Sequence, residues 1–278
     1  MALRFHKVYN AIARFSEDVD ITLDYRGLDS SFDPFAEGVS KTRLKKFSDD
    51  LKAFVREYVH DVVVPHFQSL LSVEFDTDAF ELEVSEDGEQ LRLHYPSALE
   101  APSDYMGNSV LIEFGGRNIT EPNIEHQVMP DIAQMEADLE LPCAIVSVLS
   151  PARTFWEKAT LMHVECQRNE FRASALRLSR HWYDLAMLAD LECGQAAIAD
   201  RALLADVIKH KKVFYNASYA NYDACLVGQL RLIPDEDVLV ALHDDFWQMI
   251  VAGMFIGDPP VFEQIINRLR SLESVINQ

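Results

Sequence analysis

An α+β domain followed by a helical bundle is the fold that this sequence of 278 residues predicts, on three observations. Short stretches in which polar and apolar residues alternate, the period of a half-buried strand, concentrate before Ser150. After Ser150 apolar residues recur at helical spacing in one segment after another. Hydrophobic residues make up 49% of the chain, enough to bury the core of one large domain or two smaller ones. The expected division is an α+β part over residues 1–150, with a mixed or antiparallel sheet, and a helical part over 151–278.

The elements follow in order. Residues 19–25 read as a strand that leads into a loop rich in Asp, Ser, Gly and Pro, ending at Gly38. A helix is expected over 40–63, with Leu44, Phe47, Leu51, Phe54, Val55 and Tyr58 as its apolar stripe, and Pro65 ending or kinking it. Residues 80–84 and 90–95 read as two strands joined by Ser85-Glu-Asp-Gly-Glu89, where Asp-Gly signals a hairpin. Strands are also expected over 110–114 and 144–149. Ser150 fits a helix N-cap and Pro151 a first helical residue. Helices are then expected over 152–166, 173–191, 199–214, 236–250 and 260–276.

The first strand carries the densest chemistry. Asp18, Asp20, Thr22 and Asp24 alternate with Val19, Ile21 and Leu23. Alternate residues share a face, so the Asp18 and Asp20 carboxylates lie roughly 6–7 Å apart along the strand. Two such carboxylates repel unless a cation neutralises them, and a hard divalent cation such as Mg²⁺ suits an oxygen site of this kind. An exposed strand face would show the same alternation. Glu113 shares a strand face with Leu111 while Val110, Ile112 and Phe114 point the other way. A carboxylate in so apolar a strand is costly unless paired, metal-bound or at an edge facing water.

Charge and composition set the bounds. The net charge of −20 excludes nucleic-acid binding through a general field. An RNA ligand would need a local basic patch: Lys41-Thr-Arg-Leu-Lys-Lys46, the run Arg168, Arg172, Arg177 and Arg180, or Lys209-His-Lys-Lys212, each of which also reads as a solvated helix face. So acidic a chain also suits a basic protein partner. No apolar stretch is long enough to span a bilayer, no secretory signal is visible, and Cys143, Cys166, Cys193 and Cys225 suggest neither a zinc site nor a disulfide framework. A cytoplasmic protein without membrane association is expected.

Three further segments are Val110-Leu-Ile-Glu-Phe-Gly-Gly-Arg-Asn118, Arg153-Thr-Phe-Trp-Glu-Lys-Ala-Thr-Leu-Met-His163 and Ser179-Arg-His-Trp-Tyr-Asp-Leu185. In this order, after Arg14-x-Ser16-x-Asp18-x-Asp20, they closely resemble the AbiEii/AbiGii toxin family. Lys211-Lys-Val-Phe-Tyr215 and Met254-Phe-Ile-Gly-Asp-Pro-Pro-Val-Phe262 extend the resemblance to nearly the whole chain. The resemblance implies a polymerase-β-like nucleotidyltransferase core. It implies a toxin that transfers a nucleotide from a nucleoside triphosphate to RNA, with the tRNA 3′ end as the acceptor. Mg²⁺, or Mn²⁺ in its place, would be the cofactor, and a cognate antitoxin the partner in phage defence by abortive infection.

The same resemblance distributes roles. Asp18, Asp20 and Glu113 become the metal ligands, with Asp18 and Asp20 also catalytic. Arg14 and Ser16 fall near the triphosphate. Lys158 becomes a catalytic, nucleotide-contacting residue; it borders the helix stripe of Phe155, Ala159, Met162 and Cys166, where a snorkelling surface lysine is the other reading. Glu157 points elsewhere and reads as structural. Arg177, Arg180, His181 and Asp184 fall at i, i+3, i+4 and i+7, on one helix face. The resemblance makes Asp184 a catalytic or metal-proximal acid and sets Arg180 near phosphate; an intrahelical ion-pair ladder would show the same spacing. His163 and His181 read as hydrogen-bonded helix residues.

One departure stands out. The family carries a Gly-Gly-Ser/Thr turn shortly before this first acidic strand, whereas the first glycine here is Gly27. The chain therefore reads as shortened at its N-terminus, and a nucleotide-binding or interaction protein without turnover is the competing expectation. A metal-dependent hydrolase is less favoured, since the sequence has no His-rich metal cluster and no nucleophile–His motif.

Overall fold

The computed structural model describes residues 12–16, 18–29, 31–74, 79–97, 107–134, 138–168 and 177–278. They form mixed α/β structure in two compact units, Ser16–Thr120 and residues 12–15 with Glu121–Gln278.

The first unit is built on β1 (Asp18–Thr22), β2 (Glu81–Val84), β3 (Gln90–His94) and β4 (Ser109–Gly115). The sheet order is β1-β4-β3-β2; β1 runs parallel to β4, and the other neighbours are antiparallel. One face of the sheet is apolar. Leu91, Ile112 and Phe114 pack there with Val55 and Val59, flanked by Val19, Leu82, Val84 and Val110. That face is covered by α1 (Lys41–Tyr58), whose N-cap Ser40 accepts from the Arg43 amide at 3.2 Å. Phe47, Leu51 and Val55 are buried as the stripe predicts; Tyr58 stays exposed, and Val59 takes its place in the core.

Pro65 does not end the helix. A π-helical turn, Val59–Val63, leads straight into α2 (Val64–Glu74). Proline lacks an N–H, and its ring crowds the carbonyl four residues back; the wider turn just before Pro65 opens the backbone where that crowding falls. The β2–β3 hairpin matches its sequence signal. Ser85 and Gln90 close it with an N–H···O bond of 2.9 Å, and Gly88 adopts a φ of +71°. Gly88 also lies against α1, so close that a Cβ would stand 2.7 Å from the Arg56 Cα.

The second unit holds the antiparallel pair β5 (Asn123–Val128) and β6 (Ala144–Leu149), then α3 (Pro151–Cys166), α4 (Ser179–Ala189), α5 (Glu192–Ala199), α6 (Arg201–Phe214), α7 (Glu236–Val251) and α8 (Phe262–Ile276). Ser150 caps α3 by accepting from the Arg153 amide, and Pro151 opens it, as the sequence predicts. Phe155, Trp156, Met162, Trp182, Leu185, Leu204, Leu232, Phe246 and Leu269 are fully or almost fully buried in one core. The two indoles are satisfied there: Trp156 donates to the Ala197 carbonyl and Trp182 to that of Leu232, both at 2.9 Å.

Two expectations change in this unit. Arg177 is not helical: its φ is +70°, and among the described residues α4 begins at Ser179. The single helix expected over 199–214 is α6, preceded by the separate α5; Asp200 ends one and caps the other by accepting from the Leu203 amide at 2.9 Å. At the α4–α5 corner a Cβ on Gly194 would stand 2.0 Å from the Leu188 carbonyl oxygen, so only glycine fits there. Residues 12–15 run alongside 254–256. Phe15 donates to Met254 at 2.7 Å and Ile256 to Ala13 at 3.0 Å.

Candidate active site

In the first unit the pairing of β1 with β4 sets Asp20 opposite Glu113 and Asp18 opposite Leu111. Register partners share a face of a sheet, and that face lies opposite the apolar one. Asp20 and Glu113 are therefore neighbours across strands, with Asp18 one pleat away from Asp20. Asp18 is buried, Asp20 exposed and Glu113 half-buried. Gln90, the register partner of Glu113 on β3, donates from its amide to Glu113 Oε1 at 3.0 Å. This bond turns one carboxylate oxygen toward β3.

Among the described residues no group of three or more His, Cys, Asp and Glu is placed to hold a metal ion. Mg²⁺ seldom takes an all-protein cage; it takes one or two carboxylates, waters and substrate phosphates. Asp20 and Glu113 in register, with Asp18 beside them, fit that donor set.

In the second unit Arg14, Lys158 and Asp184 meet inside the core. Arg14 Nε and Nη2 each donate to one Asp184 oxygen at 2.8 Å, and Lys158 Nζ donates to Oδ2 at 2.8 Å. All three side chains are at most 1% exposed. Burial alone would push the Asp184 carboxyl up, but the Arg14 guanidinium and the Lys158 ammonium hold it well below the usual carboxylate range. Burial pulls the Lys158 ammonium down; Asp184 opposes this, Arg14 adds to it, and the net shift is downward. The fork of Arg14, which the resemblance sets near the triphosphate, is thus engaged with Asp184, and its Nη1 donates to the Phe15 carbonyl. Ser16 Oγ is buried and has no hydrogen-bond partner among the described residues.

Around this triad α4 is anchored from outside. Leu178 at its N-cap offers no side-chain bond, and Asp245 of α7 supplies the cap instead. Asp245 accepts from the amides of Arg177 and Ser179 at 2.5 and 2.9 Å and from Ser179 Oγ at 2.5 Å. Arg180 is half-buried on the first turn of α4. Burial, with Lys158 and Arg180 nearby, holds His181 well below the usual histidine value. His163 takes the role expected of it. Its Nδ1 accepts from the Arg231 amide at 3.0 Å, leaving Nε2 to donate to the Asn221 carbonyl at 3.2 Å. Glu157 is buried between Lys211 and Arg153, a structural position.

Several of the candidate RNA-binding cations carry acidic partners. Lys46 pairs with Asp50, Arg168 with Glu165, Lys211 with Glu157 and Lys212 with Asp223; Arg172 lies outside the described residues. Sequence reasoning missed Gln90, Arg92 and Asp245. The alternation in Gln-Leu-Arg-Leu-His94 puts Gln90 and Arg92 on one face, but only the register reveals that the carboxylates share it.

No helix among the described residues is long and apolar enough to cross a membrane. Comparison with curated proteins and with solved structures found no match. The family model described as nucleotidyl transferase AbiEii toxin, type IV TA system, matches residues 1–268, nearly the full length. The chain belongs to the AbiEii family of nucleotidyl transferase toxins of type IV toxin–antitoxin systems.

Proposed function

We propose that this chain transfers a nucleotide from a nucleoside triphosphate to an RNA acceptor, the tRNA 3′ end in the first instance, with Mg²⁺ held by one or two carboxylates of the set Asp18, Asp20 and Glu113 together with substrate phosphate. The observation that carries the reading is the register that sets Asp20 beside Glu113 on the polar face of the sheet. In phosphoryl-type transfer charge builds on phosphate oxygens, so positioning and electrostatics do most of the work. Mg²⁺, when bound, supplies positive charge to those oxygens. Gln90 keeps Glu113 turned to one side, and the cross-strand hydrogen bonds fix the spacing of the acids. Lys158 and Asp184 carry catalytic roles by family likeness, as Arg14, Ser16 and Arg180 carry nucleotide contacts. The toxin acts in the cytoplasm, in phage defence, against an antitoxin partner.

The test is transfer of label from nucleoside triphosphates to total tRNA, with pyrophosphate release, by wild type and Asp20→Asn. Asp20→Asn is expected to abolish both while leaving the fold nearly intact in metal-free buffer, since Asp20 is exposed and asparagine keeps its shape. Transfer that survives in Asp20→Asn sinks the assignment.

One observation favours a second reading, nucleotide binding without turnover: Arg14 and Lys158, two of the cations meant for the triphosphate, are engaged with Asp184. Titration of nucleoside triphosphate with and without Mg²⁺ separates the two readings. Binding with no pyrophosphate release supports the second.

A further inference from the structure

The polar face of the four-stranded sheet must receive phosphate if the function proposed above holds, yet its first strand and Glu113 present carboxylates. A phosphate brought there needs a cation on the same face. Among the described residues of β1 to β4, that face offers two, Arg92 and His94 on β3. His94 is engaged: its Nε2 lies 3.1 Å from Glu83 Oε2. Arg92 is not. Its Nη1 donates to Ser109 Oγ at 3.1 Å; Glu83, its register partner on β2, lies against His94 instead, and no ion pair to Arg92 is formed among the described residues.

The register fixes where Arg92 stands. Its partner on β4 is Leu111, whose partner on β1 is Asp18. Asp18 and Arg92 therefore lie in one row across the sheet, two strand spacings or roughly 9–10 Å apart. Arg92 is half-buried, so its stem is held by packing. With Nη1 on Ser109, the Nε–Nη2 edge keeps the fork geometry that matches two phosphate oxygens.

We propose that Arg92 binds a phosphate group on the carboxylate face, as a substrate-positioning residue. The inference rests on the function proposed above. The phosphate comes either from the triphosphate of the nucleotide or from the backbone of the acceptor RNA. In both cases Arg92 offsets the repulsion that Asp18, Asp20 and Glu113 exert on it.

The probes are inorganic tripolyphosphate and a short single-stranded RNA with a 5′-hydroxyl, each titrated against the full chain by calorimetry with Mg²⁺. Arg92→Gln is compared with wild type and with Arg270→Gln, which removes the same charge from an exposed site on α8. Losing a charge-assisted bond should weaken the probe that Arg92 holds by about tenfold to a hundredfold. Weaker tripolyphosphate binding identifies the nucleotide as the source, and weaker RNA binding identifies the acceptor. Arg270→Gln should bind both as wild type does; an equal loss there would make the effect one of net charge and overturn the proposal. Should Arg92→Gln melt well below wild type, Arg92→Lys is read in its place, since it keeps the charge but not the fork; undiminished binding of both probes then overturns the proposal. Wild-type binding with Arg92→Gln unchanged overturns this inference alone. Wild type that binds neither probe overturns it together with the function on which it rests.

Discussion

Asp184 answers two cations with one carboxylate, and the three side chains are shut off from water. Removing one member of such a set leaves buried charge without compensation. Asp184→Asn should therefore cost about 3–5 kcal/mol of stability at neutral pH, read by denaturant unfolding. The shift of Asp184 also sets a pH window. Its carboxyl lies below the usual value of 3.8, so its contribution is complete above that value and fades as pH falls further toward the folded one. Wild type should lose stability steeply below about pH 4, and Asp184→Asn should lose less over the same range. Equal slopes would show that the pairing with Arg14 and Lys158 does not govern acid unfolding. At this scale the sequence showed where carboxylates and cations occur, because residue type alone carries that information. It could not show that Arg14 meets Asp184 across 170 residues, since nothing local links them.

Elements with local causes were the legible ones. The Asp-Gly hairpin, the Ser150 cap with Pro151, and β6 over residues 144–149 follow from turn chemistry, capping and alternation. β5 was missed because Asn-Ile-Glu-His-Gln-Val128 carries too few apolar residues to register, and it gains its ladder from β6. The cap of α4 was illegible for a different reason: Asp245 reaches it from α7. Two predictions belong here. Gly88→Ala meets both a positive φ and the Arg56 backbone, so it should lose more than the roughly 1 kcal/mol of an ordinary strained turn position. Thermal melting checks this, and an unchanged Tm would mean that the hairpin can lift from α1 at no cost. Asp245→Ala leaves the first amides of α4 uncapped and should cost about 1–2 kcal/mol. Faster hydrogen exchange confined to the first turn of α4 is the expected signature.

For the molecule as a whole, charge decides how it meets RNA. With a net charge of −20, and with Lys46, Arg168, Lys211 and Lys212 of the candidate patches paired with carboxylates, the chain exerts little long-range attraction on a phosphate backbone. Binding of single-stranded RNA should depend only weakly on salt, with a log–log slope of about −2 or shallower, equivalent to some three phosphates. A steep slope, measured between low and physiological salt, would point instead to a local basic patch such as Lys41, Arg43 and Lys45 on α1. The division of the chain was less legible than its charge: composition changes at Ser150, whereas the compact units part between Thr120 and Glu121, so that β5 and β6 fall in the unit that holds the helices α3 to α8.

The pinning of residues 12–15 by Asp184 and by residues 254–256 has a consequence in time. A ribosome releases the carboxylate-bearing unit whole once Thr120 has emerged, but the other unit joins residues 12–15 to the elements that follow Glu121. At about 5–20 residues per second, on the order of ten seconds of synthesis separates the two events. Through the first part of that interval Arg14 waits for Asp184, and through the rest its neighbours wait for residues 254–256. A nascent toxin of this design finishes its acidic sheet early and closes its charged core only once residues 254–256 have been made.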